Sequence, residues 1–169
     1  MRKLLDFIYD AAAWLAALAM VGVLLMVLLS IVSRQLQFHV AGTDAYAGYA
    51  MAAAGFLALA HTLKRNEHIR VTLILARLQG GARRGLEIWA LTAAVLLAAL
   101  FAFYSVRLAV VSYQLNDVST SNDATPLWIP QLAMAIGTLV LLLAFVDEWV
   151  QELRGRRVVA ENEEALHNE

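Results

Sequence analysis

The sequence predicts an all-α integral membrane protein with four transmembrane helices, cytoplasmic N and C termini, and short amphipathic helices at the membrane interface. Of its 169 residues, 61% are hydrophobic and only 16% are charged, against about 25% charged in an ordinary soluble domain. The hydrophobic residues are concentrated in four long blocks. A chain of this length cannot bury four such blocks in one soluble core, because too little polar surface would remain to cover them.

Each block is long enough to cross a bilayer, whose hydrocarbon core of about 30 Å requires roughly 20 helical residues. The predicted spans cover residues 11–33, 45–63, 86–108 and 127–147 of a single membrane domain, 1–169. The first block stays apolar for more than twenty residues, whereas a cleaved signal peptide has an apolar region of about 7–15. We therefore expect the first block to be retained as a span.

Lysine and arginine residues predict the orientation of the chain. Eleven of the 13 lie in three segments: the amino-terminal end, the connection between the second and third spans, and the tail. Basic residues are concentrated on the cytoplasmic side of membrane proteins, so we expect these segments, including the polar tail 150–169, to be cytoplasmic. Arg34 and Arg107 are the two basic residues toward the other side.

Two segments are predicted to lie at the inner membrane interface. Residues 1–10 place Leu4, Leu5 and Ile8 on one side of a helix, which indicates either a short in-plane helix or a simple extension of the first span. The loop 66–80 repeats apolar residues with helical spacing and carries Arg70 and Arg77 on another face. These arginines are expected either to meet lipid phosphates or acidic partner groups, or to help fix the span geometry.

The sequence offers no residues for catalysis, a cofactor or a metal ion. Cysteine is absent, and no zinc-protease, serine-hydrolase or phosphate-binding motif occurs. A haem held between spans needs facing histidines, but only His61 lies near a span. A net charge of −1 argues against a nucleic-acid surface. We predict a non-enzymatic membrane subunit whose many small span residues pack against a partner helix.

The order of several motifs identifies a family that this chain resembles. Span one ends in Ser33-Arg34-Gln35-Leu36-Gln37-Phe38, and span two ends in ALAHTLKRNEHIRVTLI, with Arg65, His68 and Arg70 in its most specific part. Span four begins with Trp128-Ile129-Pro130. The chain resembles, over nearly its whole length, the small membrane subunit of tripartite ATP-independent periplasmic (TRAP) transporters, the DctQ-like family.

The resemblance implies a small permease subunit in a bacterial inner (cytoplasmic) membrane. Its partners would be a large elevator-type permease subunit, which it scaffolds, a periplasmic substrate-binding protein, and membrane lipids. The transporter would perform sodium-coupled uptake of an organic acid carboxylate. The interaction residues expected from the charges at the span ends are Arg34, Asp44 and Arg107 outside, and Lys64, Arg65, His68 and Arg70 inside.

Two other functions compete with this one. A membrane anchor of a redox complex would bind haem or quinone and would show a Soret absorption band. A small homo-oligomeric exporter would need a carboxylate in the middle of a span, and the four predicted spans have none. Solvated charge at the membrane surface, without a partner, is the alternative interpretation of the candidate interaction residues.

Overall fold

The computed structural model describes residues 2–38, 40–65 and 81–155, and these contain four helices. Helix α1 covers Arg2–Gln35, α2 covers Thr43–Lys64, α3 covers Gly81–Gln114 and α4 covers Trp128–Leu153. The described residues contain no strand beyond one isolated antiparallel bridge in the connection between α3 and α4. The predicted all-helical fold class is confirmed.

Three of the four helices, α1, α3 and α4, are long and apolar enough to cross a membrane. Helix α2 has 22 residues, which is about 33 Å of helix, but it is not among the described helices that are apolar enough to span. The structure therefore supports three spans directly. The fourth span and the side of the membrane on which the termini lie stay predictions.

The amino-terminal residues belong to the first long helix. Residues 2–10 continue α1 without a break, because the chain has no glycine or proline before Gly22. Of the two alternatives for this segment, the extension of the first span is therefore the one found. The predicted in-plane helix at 66–80, with His68 and Arg70, and the tail after residue 155 lie outside the described residues.

The helices pack side by side in the order α1, α2, α4, α3, an arrangement that we call the layer. Helix α1 packs against α2, α2 against α4, and α4 against α3, while α1 meets α4 only slightly. Helices α1 and α3 are therefore the two edges of the layer. We call the end that holds residues 2–10, 61–65, 81–92 and 147–155 the terminal end, and the end that holds 30–46 and 112–128 the loop end.

Small side chains allow the close packing within the layer. The buried face of α3 repeats with a spacing of three, four or seven residues, the interval that keeps one side of a helix against its neighbour. Its members are Leu91, Ala98, Ala102, Ser105, Ala109 and Ser112. At the terminal end, α1, α2 and α4 share a buried apolar cluster that includes Tyr9, Ala60 and Ala144. Lipid tails are as apolar as the helices, so the hydrophobic effect does not drive helices together in a membrane. Small residues let the helices approach closely enough to associate through van der Waals packing.

Candidate interaction surfaces

An exposed ion pair joins α1 to the start of α2 at the loop end. The Arg34 guanidinium lies 4.0 Å from the Asp44 carboxylate, and 78% and 82% of the two side chains are exposed. The Ser30 hydroxyl also donates a hydrogen bond of 3.3 Å to Asp44. An ion pair this open contributes at most about 1 kcal/mol to stability. Arg34 and Asp44 are therefore accessible to another molecule, and they lie together as a contact site would require.

An open cleft of about 620 Å³ lies beside this pair. Its walls are the end of α1, the start of α2 and residues 120–122 of the α3–α4 connection. The lining is mostly polar, and it includes Ser30, Ser33, Arg34, Thr43, Asp44 and Asn122. The cleft gives the loop end a polar, concave surface that a soluble protein could reach.

The α3–α4 connection is held on α2 by Asp123. The Asp123 carboxylate accepts hydrogen bonds from Tyr49 at 3.0 Å and from Ser119 at 2.8 Å. Loss of solvent raises the pKa of Asp123, but the hydrogen bonds from Thr125, Ser119 and Tyr49 outweigh this and lower the pKa to about 2. Gly42 approaches so closely, at φ +80°, that a Cβ there would lie 2.7 Å from the Asp123 Cβ. The two connections at the loop end therefore form one rigid unit.

A polar cluster joins α1 to α2 at the terminal end. Lys64 forms an ion pair with Asp6, and its Nζ lies 5.1 Å from the centre of the Tyr9 ring, within range of a cation–π interaction. His61 Nδ1 lies 3.6 Å from the Asp10 carboxylate. Arg65 caps α2 through its backbone N–H, which donates to the His61 carbonyl. Lys64 therefore fastens α1 to α2, while the Arg65 side chain is exposed.

Helices α3 and α4 are joined by polar and aromatic contacts at both ends. At the terminal end, Trp149 Nε1 donates a 3.0 Å hydrogen bond to Thr92 Oγ1, and Arg84 donates to the Leu153 carbonyl at 3.1 Å. At the loop end, the Tyr113 and Trp128 rings meet edge to face with their centres 5.6 Å apart. Tryptophan and tyrosine are enriched at membrane–water interfaces, so Trp149, Tyr113 and Trp128 are of the residue types expected there.

Arg107 lies apart from the other predicted residues. It is on α3, seven residues before the helix ends at Gln114, and its side chain is exposed. Within residues 2–38, 40–65 and 81–155, no carboxylate pairs with it. The structure thus brings Arg34 and Asp44 together, leaves Arg107 alone on an edge helix, and gives Lys64 an intramolecular partner.

Sequence reasoning missed several contributors to these surfaces. Tyr49 and Ser119 hold Asp123, and none of these three was among the predicted interaction residues. Asp6 and Asp10 contact Lys64 and His61, and their spacing of four residues could have suggested a shared helix face. No group of three or more acidic or histidine side chains in the described residues is arranged to hold a metal ion.

The profile of one protein family matches most of the chain. The family is described as the DctQ component of tripartite ATP-independent periplasmic transporters, and the match covers residues 23–155. The chain belongs to the DctQ family. No individual curated protein matches the chain.

Membership of the DctQ family defines the kind of protein in coarse terms. The chain is a membrane-protein component of a TRAP transporter, and the family is not an enzyme family. The family works in general with a large permease subunit and a binding protein. The match spans all of α2, α3 and α4, and it includes every residue of the loop-end contacts described above.

Proposed function

We propose that this DctQ component is the small permease subunit that holds and widens the static part of a large elevator-type permease. The observation that carries the proposal is the family match over residues 23–155. The architecture supports it, because a single layer of helices encloses no interior through which a solute could pass. A transport pathway then requires a second membrane protein, against which this layer packs.

A layer one helix thick suits the role of a static support. A transport domain that moves across the bilayer needs a partner that does not move with it, and a broad layer gives that partner more contact with lipid. Exposed apolar side chains cover most of α1 and α3, with Leu18, Leu25, Leu97 and Phe103 each more than half exposed. These surfaces are suited to lipid tails and to neighbouring membrane helices.

We propose that the chain crosses the bacterial inner membrane four times with the terminal end in the cytoplasm. Helix α2 lies between α1 and α4 and packs against both, and both of these neighbours are apolar enough to span. The basic residues of the amino-terminal end, the α2–α3 connection and the tail favour a cytoplasmic terminal end. The loop end would then face the periplasm, where a binding protein can reach it.

The interaction residues divide between the two membrane surfaces. We propose that Arg34 and Asp44, beside the open cleft, help to position the periplasmic binding protein. At the cytoplasmic surface, Arg65, His68 and Arg70 would contact lipid phosphates or the large subunit, at about 1 kcal/mol for each basic residue near anionic lipid. Lys64 would support that surface indirectly, since its ammonium is already paired with Asp6.

The proposed transport reaction is sodium-coupled uptake of an organic acid carboxylate. It is tested by comparing uptake of a panel of radiolabelled carboxylates by cells that lack this chain and by cells in which it is restored. We expect uptake of one acid to require both this chain and sodium. Deleting the gene of the permease, with this chain present, should abolish the same uptake. Uptake that is unaffected by removing the chain would contradict the proposal.

The redox-anchor alternative is tested on the same purified material. A haem-binding anchor would show a Soret band, whereas the proposed transporter subunit would show only protein absorption. His61 is the one histidine among the described residues, and its Nδ1 faces Asp10. A Soret band that disappears in a His61→Ala variant would favour the redox alternative over the transporter subunit.

A further inference from the structure

Polar and aromatic contacts between α3 and α4 serve as markers of membrane depth. Thr92 pairs with Trp149 at the terminal end, and Tyr113 pairs with Trp128 at the loop end. In each helix the two markers are 21 positions apart, or about 31 Å at 1.5 Å per residue. This agrees with a hydrocarbon core about 30 Å thick, so the middle of the membrane falls near Ala102 and Phe103.

Arg107 lies inside this hydrocarbon layer. It is between four and five residues from the middle on the loop-end side, which is about 7 Å along the helix axis. The edge of the hydrocarbon is about 15 Å from the middle, so the Arg107 backbone is roughly 8 Å below it. A guanidinium at this depth can reach the phosphates only if its side chain extends fully and the bilayer thins around it.

The side chain of Arg107 points away from the other described helices. The buried residues Ser105, Ala109 and Ser112 face α4, and at 100° per residue Arg107 falls on the opposite side of α3. It shares that side with Leu96, Leu100 and Phe103, which are 65%, 57% and 62% exposed. We call Leu96, Leu100, Phe103 and Arg107 the outer face of α3. This face is apolar apart from one unpaired charge.

A charge in a span almost always faces a protein interior or a partner rather than lipid tails. The carboxylates of the described residues cannot supply that partner, because all of them lie at the two ends of the layer. Asp6, Asp10, Glu87, Asp147, Glu148 and Glu152 are at the terminal end, and Asp44, Asp117 and Asp123 are at the loop end. A second copy of this chain would therefore bring no described acid to the depth of Arg107.

We propose that the outer face of α3 docks onto a membrane helix of the large permease subunit, and that this helix presents a carboxylate to Arg107. The proposal rests on the proposed function, since it takes the permease as the occupant. Charge complementarity is the reason for choosing the permease as the partner. A carboxylate in the loop-end half of the membrane would pair with Arg107, and we infer that a different protein provides it. The apolar residues beside Arg107 then pack against the same helix.

The first test measures how much permease is recovered with the tagged chain from native membranes in mild detergent. We expect Arg107→Leu to reduce the recovered permease at least tenfold and Arg107→Lys to reduce it less. Arg154→Leu, an exposed arginine at the terminal end, is the matched control and should leave recovery within twofold of the wild type. Full recovery with Arg107→Leu would overturn the proposal and indicate that the guanidinium reaches lipid phosphate.

The second test uses the absence of cysteine from the chain. Leu100→Cys on the outer face of α3 and Leu24→Cys on α1 replace side chains that are both 57% exposed. After labelling with a maleimide photo-crosslinker, we expect a permease adduct from Leu100→Cys and much less from Leu24→Cys. No adduct from Leu100→Cys, or equal adducts from both, would overturn the proposal.

The result with the wild-type chain distinguishes a failure of the proposed function from a failure of the proposed docking face. If wild-type chain brings no permease with it, the proposed function fails. If it brings the permease but neither Arg107→Leu nor Leu100→Cys has the stated effect, the function stands and the docking face is wrong. Leucine at position 107 is well tolerated by a lipid-facing helix, so loss of folding does not account for loss of the permease.

Discussion

Gly137 of α4 touches the backbone of Phe56 in α2, so closely that a Cβ at position 137 would lie 2.5 Å from the Phe56 carbonyl oxygen. This contact is at the centre of the layer, where the packing of α2 against α4 joins the α1–α2 pair to the α3–α4 pair. A backbone carbonyl cannot move aside as a flexible side chain can. The separation of α2 and α4 therefore depends on the missing side chain at this glycine.

Gly137→Ala should destabilise the protein. The added methyl would push α2 and α4 apart, and overpacking of this kind costs about 1–3 kcal/mol. Thermal unfolding of the detergent-purified protein, followed by tryptophan fluorescence, should show a lower midpoint. Gly55→Ala on α2 is the control, because nothing lies within 4 Å of its Cβ position. Equal midpoints for Gly137→Ala and wild type would contradict the close packing described here.

Tyr9 should contribute through its ring and not through its hydroxyl. Tyr9 is only 2% exposed, yet its hydroxyl has no hydrogen-bond partner among the described residues. Tyr9→Phe should therefore leave the unfolding midpoint unchanged or raise it slightly. Tyr9→Ala should cost about 3–5 kcal/mol by opening a cavity between α1, α2 and α4. A large loss of stability in Tyr9→Phe would show that the hydroxyl is bonded after all.

Asp123 should make the loop end sensitive to acid. Its pKa is lowered from 3.8 to about 2 in the folded chain, so its contribution to stability is present above the unfolded value near pH 4. That contribution is lost as the pH falls toward 2. Thermal midpoints measured between pH 5 and 2 should fall in the wild type, and Asp123→Asn should show a smaller fall. Parallel curves for the two proteins would assign the acid sensitivity to other groups.

The Trp149–Thr92 hydrogen bond should show measurable coupling between α3 and α4. A neutral hydrogen bond contributes about 0.5–1.5 kcal/mol to the free energy of unfolding. A double-mutant cycle with Trp149→Phe and Thr92→Val should give an interaction energy in this range. The 3.0 Å distance supports a direct bond. Additive effects of the two substitutions would mean that the tryptophan and the threonine do not pair in the membrane.

The helices were predictable because long apolar blocks leave few alternatives. The residues 2–10 were ambiguous, since Leu4, Leu5 and Ile8 suit both an in-plane helix and an extended span. The absence of glycine and proline before Gly22 permits the continuous helix, and packing against α2 through Tyr9 and Lys64 stabilises it. Nothing in the local sequence encodes that packing.

The order of the helices in the layer could not be predicted. In a membrane, lipid tails are as apolar as the protein core, so hydropathy does not separate buried faces from exposed ones. The pairing of Arg34 with Asp44 could be predicted from the sequence, because only a short connection separates the two residues. The hydrogen bond from Tyr49 to Asp123 joins residues 74 positions apart, and it depends on α4 lying beside α2.

The depth of Arg107 also depends on the structure. From the sequence, Arg107 lies near the outer end of the predicted span 86–108. Helix α3 continues to Gln114, because Leu108, Val110 and Val111 extend its apolar surface. In the docking proposal, the contact between Tyr113 and Trp128 marks the membrane surface beyond Arg107, and the charge then lies within the hydrocarbon.

The central claim is that this chain works as a subunit bound to a larger permease. The most direct test is to purify the tagged chain from its native membranes in mild detergent and identify its companions by mass spectrometry. We predict a large, many-span permease in equal amount. Recovery of the chain alone, or with soluble redox subunits, would contradict the claim.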